Sequence, residues 1–141
     1  MLYVDTSVIV ALLTVEPKTP DVTAWYAGLR EPPICADWLL AEFSSAISIK
    51  LRTRQLSATH AKRVRREFDL LAAGGLRLAP VSRAAFRKAA DMVKQHRHGL
   101  RAGDSLHLAV ALELGASQLA TLDATLAENA NRKGLELTRF S

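Results

Sequence analysis

The chain opens with a short apolar, β-prone run, Leu2-Tyr3-Val4, that stops at Asp5-Thr6-Ser7. Val8 to Leu13 then predicts a short helix that ends before Pro17 and Pro20. Asp21 to Leu29 predicts a second helix, with Trp25 and Leu29 on one side. Glu31-Pro32-Pro33 breaks the chain ahead of Ile34-Cys35-Ala36, a candidate strand. Asp37 is placed to cap a long helix reaching about Arg54, with Leu39, Phe43, Ala46 and Ile47 as its apolar stripe. Ser57 is placed to cap the next, where Ala61, Val64, Phe68 and Leu71 recur at helical spacing until Gly74-Gly75. Leu76, Leu78 and Val81 suggest a strand, and Ser82 to about Gln95 a helix. His96 to Ala102 is a basic, glycine-containing loop. Leu106 to Leu114 is apolar almost all round and predicts a buried helix closed by Gly115. Gln118 to Leu122 reads as a strand, Ala124 to about Arg132 as a helix, and Leu135 to Thr138 as a last short strand.

Short strands alternating with helices argue for a parallel sheet covered on both faces. Ligands of such sheets bind just beyond the carboxyl ends of the strands, so the residues that follow each strand hold the chemistry. No repeat or long linker divides the 141 residues, and one domain spanning 1–141 is expected.

The composition is ordinary for a globular chain, 49% hydrophobic and 23% charged, so it argues against a disordered tail. No apolar run reaches the ~20 residues of a membrane span, and Asp5 so near the start does not fit a secretory leader. The single cysteine, Cys35, excludes an internal disulfide framework and a cysteine-rich zinc site. A cytoplasmic protein is the expectation. The net charge of +5 points only weakly to a polyanionic partner.

Four carboxylates stand out. Asp5 and Asp123 each follow a predicted strand directly, where Asp also serves as a helix cap. Glu42 lies inside the apolar arc of its helix, among Trp38, Leu39, Ala46 and Ile49. A carboxylate is rarely buried there unless it is paired or binds a metal. Lys50 falls near the same arc. Asp104 precedes the most apolar helix, with Gly103 before it for a tight entry turn; capping is its structural alternative. Carboxylates forced together repel and resist ionisation unless a cation shares them, and such oxygen-rich sites suit Mg²⁺ or Mn²⁺.

Val4-Asp5-Thr6-Ser7, Ala41-Glu42-Phe43, the Arg101-Ala102-Gly103-Asp104-Ser105-Leu106-His107-Leu108-Ala109 segment and Ala120-Thr121-Leu122-Asp123 occur in the order and approximate spacing of the PIN domain. The chain resembles that family over essentially its whole length, and most nearly the VapC-type toxins of toxin–antitoxin pairs. The resemblance implies a three-layer α/β/α sandwich around a short, mostly parallel sheet. It also implies three or four carboxylates that bind Mg²⁺ or Mn²⁺ and cleave RNA. By motif, Asp5, Glu42 and Asp104 match the family's most regular acids, Asp123 its more variable fourth, and Ser7 and Thr121 its supporting hydroxyl positions. Ser7 is expected to hold a phosphate oxygen or a metal-bound water, with helix capping as the alternative, and Thr121 to orient Asp123. His107, one helical turn after Asp104, reads as a hydrogen-bonded core residue. A cognate antitoxin laid across the groove beside the acids and a two-fold homodimer are further implications; Trp25, Tyr26, Trp38 and Leu39 are apolar candidates for such contacts, with core packing as the alternative.

Basic residues gather in two stretches. Lys62, Arg63, Arg65 and Arg66 lie on the fourth predicted helix; Arg87, Lys88, Lys94, Arg97 and Arg101 run towards Asp104. Arg97 and Arg101, with His96 and His98, are the expected phosphate contacts, because their loop leads into the acidic site. Two other functions compete: a non-catalytic RNA-binding or antitoxin-docking module, and a metal-dependent phosphohydrolase acting on another phosphoester. Clustered negative charge brings nothing to a pure binder of polyanions, which counts against the first. Neither a dinucleotide fingerprint nor a P-loop is present, which removes nucleotide-cofactor and NTPase versions of the second.

Overall fold

A computed structural model describes residues 1–141. Five short strands, β1 (Leu2–Val4), β2 (Ile34–Ala36), β3 (Arg77–Ala79), β4 (Gln118–Ala120) and β5 (Glu136–Leu137), form one parallel sheet in the order β3-β2-β1-β4-β5. Seven helices connect them: α1 (Thr6–Leu13), α2 (Thr19–Ala27), α3 (Trp38–Arg52), α4 (Ala58–Leu70), α5 (Arg83–Val93), α6 (Ala102–Glu113) and α7 (Ala124–Arg132). Strands of two or three residues offer few ladder bonds, so the sheet depends on the helices packed against it.

Alternation along the strands sends side chains to opposite faces. Val4, Cys35 and Ala120 face a core formed with α1 to α4, while Tyr3, Ile34, Ala36 and Leu119 face a second core formed with α5 to α7. Stacked Phe43 and Phe68, with ring centroids 4.0 Å apart, tie α3 to α4 in the first core. The second is filled by α6, whose residues from Ser105 to Ala111 are all buried. The expected α/β/α sandwich is the observed fold.

Several boundaries differ from expectation. α1 begins at Thr6 because Asp5 caps it, and α2 at Thr19 because Pro20 suits a first turn. Asp37 makes no capping bond, and α3 ends at Arg52. The largest difference concerns α6, which starts at Ala102, well ahead of Leu106. Asp104 therefore stands inside its first turn, where it caps nothing. His96–His98 form a 3₁₀ turn that ends at Gly99, whose φ of 66° is the left-handed geometry that favours glycine.

The chain builds outwards from β1 through β2 to β3 with helices on one face. It then returns to β4 on the far side of β1 with helices on the other face. The reversal falls between β1 and β4, and a crevice opens there beyond their carboxyl ends. No helix is long and apolar enough to cross a membrane.

Candidate metal-dependent active site

Asp5 is the first residue after β1 and only 2% exposed. Its Oδ1 accepts the Ser7 hydroxyl at 2.6 Å and the Val8 N–H at 3.3 Å, and Oδ2 accepts the Thr121 hydroxyl at 2.6 Å. Ser7 Oγ in turn accepts the Leu122 N–H at 2.9 Å, and Thr121 Oγ1 accepts the Asp123 N–H at 3.0 Å. The ends of the adjacent strands β1 and β4 are thus laced together around one carboxylate. Burial pushes the Asp5 carboxyl above its ordinary range; His107, the two hydroxyls and the Val8 amide oppose the shift.

Ser7 and Thr121 therefore both serve Asp5. Ser7 is occupied by Asp5 and the Leu122 amide; Thr121 reaches the side chain of Asp5 and only the backbone of Asp123.

Glu42 projects from α3 towards the same crevice, its side chain 26% exposed. Its Oε1 accepts the Thr6 hydroxyl at 2.6 Å and meets His107 Nε2 at 2.5 Å. Burial alone would raise its pKa, but the His107 and Thr6 bonds and the Trp38 indole outweigh it, and the carboxyl is held below its ordinary value. Trp38 Nε1 is buried without a well-formed hydrogen bond of its own. Gly103 of α6 lies against both groups: a Cβ there would stand 2.7 Å from Glu42 Oε2 and 3.2 Å from Trp38 Nε1. The glycine is what lets α3 and α6 approach at this point.

Asp104 and Asp123 complete the set. Asp123 caps α7 through the Leu126 N–H at 2.8 Å, and it shares a cavity of about 350 Å³ with Glu42, Arg101, Gly103 and Asp104. Asp104 is pushed up to about 6, first by burial and then by Asp123, Asp5 and Glu42, with His107 opposing. Each of the other three acids is thus close enough to resist its ionisation. Of the four carboxylates expected from the sequence, Glu42, Asp104 and Asp123 line one cavity, and Asp5 is buried close enough to act on Asp104.

As the side chains stand, no three of them converge on a single chelating point. Asp5 and Glu42 are restrained by hydrogen bonds, while burial and like charges are the main influences on Asp104. Joint ligation by three of them therefore requires the side chains to rearrange. The donor set, carboxylate oxygens crowded against one another, is what a hard divalent cation satisfies.

A groove of about 850 Å³ runs from the acids along α3, past Val10, Ala41, Ser45, Ala46 and Ile49 to Glu16. Lys50, the other charge in the apolar arc, is paired with Glu16 at 3.1 Å beside that end. Of the expected phosphate contacts, Arg101 lines the acidic cavity, whereas Arg97 is exposed on the 3₁₀ turn and His98 faces a separate cavity with Arg132 and Lys133. Lys62, Arg63 and Arg66 line a shallow depression on α4. Leu39 belongs to the core, Trp25 stacks edge-on against Phe140, Tyr26 bonds the Gly75 carbonyl, and Trp38 lines the groove.

Sequence reasoning did not find Tyr3 and Thr6 as partners of the site. It placed His107 in the hydrogen-bonded core, where it is, but not against Glu42. A Tyr in the middle of an apolar strand was the available signal, since a buried phenol needs a partner.

The PIN domain family model matches residues 2–132. No curated protein sequence matches the chain significantly. Among solved structures, the chain resembles FitAcB from Neisseria gonorrhoeae with a TM-score of 0.74 at 19% identity, covering 99% of this chain and 97% of that one. It also resembles VapC20 of Mycobacterium tuberculosis, described as a sarcin-ricin loop cleaving toxin (TM-score 0.73, 16% identity, 92% and 95% covered). A third is VapBC2 from Rickettsia felis bound to a promoter DNA fragment (TM-score 0.69, 14% identity, both chains fully covered at 100%). These identities speak for the fold, and the family match for the ancestry: the chain belongs to the PIN domain family.

Proposed function

We propose that this protein is a Mg²⁺- or Mn²⁺-dependent endoribonuclease, the toxin of a toxin–antitoxin pair. The carrying observation is that Glu42, Asp104 and Asp123 line one cavity, and that Asp123, Asp5 and Glu42 all resist the ionisation of Asp104. Folding gains nothing from like charges gathered there. A cation shared among them explains why they are gathered.

Asp5 and Glu42, each held by hydrogen bonds that favour the charged form, would be the fixed donors to the metal, and Asp104 in the first turn of α6 and Asp123 at the cap of α7 would complete the set. When bound, a divalent cation supplies a more acidic water and offsets the phosphate charge. Arg101, which lines the same cavity, would hold a non-bridging phosphate oxygen. Ser7 and Thr121 keep Asp5 oriented and hold β1 against β4. RNA as the substrate is supported by the family and by the description of VapC20. An antitoxin partner is supported by VapBC2 and by the partly apolar groove beside the acids, which suits a peptide segment. A homodimer is part of the same reading.

Incubating the protein with RNA and Mn²⁺ tests it. Cleavage is expected, with loss in Asp5→Asn and on chelation, and with single-stranded DNA and a simple phosphate ester left intact. Equal cleavage by wild type and Asp5→Asn contradicts the site.

A further inference from the structure

The hydrogen bonds on Glu42 continue inwards. His107 Nε2 meets Glu42 Oε1 at 2.5 Å, His107 Nδ1 meets the Tyr3 hydroxyl at 2.7 Å, and that hydroxyl accepts the Ala36 N–H at 2.9 Å. Tyr3 is fully buried and His107 1% exposed, so no water competes for these positions. The chain of bonds crosses three layers: a backbone amide of β2, a phenol of β1, an imidazole of α6 and a carboxylate of α3.

We infer that Tyr3 and His107 are positioning residues, which fix one oxygen of Glu42 and leave the other to the metal. This rests on the ribonuclease reading above for its consequence, but on the hydrogen bonds for its logic. The Tyr3 oxygen already accepts the Ala36 N–H, and of the two groups beside its own proton, His107 Nδ1 at 2.7 Å is a far better acceptor than the Cys35 thiol. An imidazole that accepts at Nδ1 carries its proton at Nε2, and Nε2–H then donates to Glu42 Oε1. With the opposite tautomer, a ring lone pair would face the carboxylate. The buried phenol therefore sets the tautomer, and the tautomer sets the carboxylate. Thr6 Oγ1 donates to the same Oε1 at 2.6 Å, while Oε2 lies against Gly103, the residue beside Asp104. One oxygen is saturated by protein donors, while the other lies beside Gly103 and the Trp38 indole, and the residue lines the cavity that Asp104 and Asp123 share.

The arrangement separates what the two ends of a carboxylate do. A ligand free to rotate would lose rotamer freedom on binding metal; Glu42 is already held. Partners that orient a ligand typically contribute about 10- to 100-fold in metal affinity.

The test is Mn²⁺ affinity of the RNA-free protein, read by calorimetry or electron paramagnetic resonance, alongside RNA cleavage and thermal stability. In Tyr3→Phe the phenol proton is lost with little change of shape. In His107→Asn the amide overlays Nδ1 and cannot reach Glu42; in His107→Gln it overlays Nε2 and can. Tyr3→Phe and His107→Asn are expected to weaken Mn²⁺ binding by about 10- to 100-fold, with His107→Gln closer to the wild type. In a Glu42→Gln background, His107→Asn should cause no further loss. Nitrogen-15 NMR of His107 in mildly alkaline buffer should show the Nε2–H tautomer in the wild type and a mixture in Tyr3→Phe. Unchanged Mn²⁺ affinity in folded Tyr3→Phe and His107→Asn would overturn the proposal, as would an Nδ1–H tautomer in the wild type. A protein that behaves as expected towards Mn²⁺ and the NMR probe but cleaves no RNA supports the positioning roles and overturns the ribonuclease reading alone.

Discussion

Replacing Gly103 with alanine separates the site from the fold. In the first turn of a helix this exchange ordinarily stabilises, by up to about 1 kcal/mol, since glycine loses more backbone freedom on folding. The added methyl would stand 2.7 Å from Glu42 Oε2, so the carboxylate must retreat by about 0.7 Å to reach ordinary contact at 3.4 Å. Oε2 is the far end of a flexible side chain, and the Trp38 indole, 3.2 Å from the methyl, must give only by a few tenths of an ångström. The retreat is not free, however, because Oε1 is held by Thr6 and His107 on its other side. Glu42 must either break those bonds or swing Oε2 aside from Gly103. A displacement approaching 1 Å at a reacting centre costs about 100-fold in rate, so a loss of about 10- to 100-fold is expected here. Initial rates of RNA cleavage at saturating Mn²⁺, paired with thermal melting, read both halves. The expected result is a melting temperature equal to or above that of the wild type together with the loss of cleavage. Wild-type cleavage by Gly103→Ala would refute the reasoning, and so would a fall in stability large enough to account for the loss.

Three further outcomes are expected. Asp104 has a folded pKa of about 6 against 3.8 for the free carboxyl, so the metal-free folded state holds this proton more tightly than the unfolded one. Its effect is absent below 3.8, grows as a destabilisation while pH rises towards about 6, and persists above; Asp104→Asn should flatten that fall in denaturant titrations. For the same reason Mn²⁺ should raise the melting temperature of the wild type near neutral pH more than that of Asp104→Asn. Ser7→Ala removes a donor to Asp5 and the acceptor of the Leu122 amide, and a buried group left unpaired costs about 1–3 kcal/mol; chemical denaturation should show that loss, and cleavage per folded molecule should fall with it.

Asp5 and Asp123 were legible in the sequence because a carboxylate after an apolar strand marks the chemical edge of a parallel sheet, although β4 ends at Ala120 and Asp123 stands three residues beyond it. Both also prove to be helix caps, so the two roles coexist in one side chain. Glu42 was legible because its charge stands in an apolar arc; Lys50 in the same arc is explained by its pairing with Glu16. The start of α6 was misplaced because Gly103 discourages a helix by propensity. Its close contact with Glu42 is tertiary, and it overrides that preference. The bonds that orient the acids were hidden for a related reason. Thr121 bonding to Asp5 depends on β4 lying beside β1, and His107 bonding to Glu42 depends on α6 crossing α3. Periodicity reports which face of an element is buried, not which distant element it meets. The resemblance to the PIN domain supplied the fold that pairs them, but not these particular hydrogen bonds.

Anomalous diffraction from crystals of the protein soaked in Mn²⁺ tests the central claim most directly. The account predicts a peak in the crevice beyond β1 and β4, within ligation distance of carboxylate oxygens of Asp5, Glu42 and Asp104. A crevice without metal, with Mn²⁺ bound elsewhere or nowhere, would contradict it.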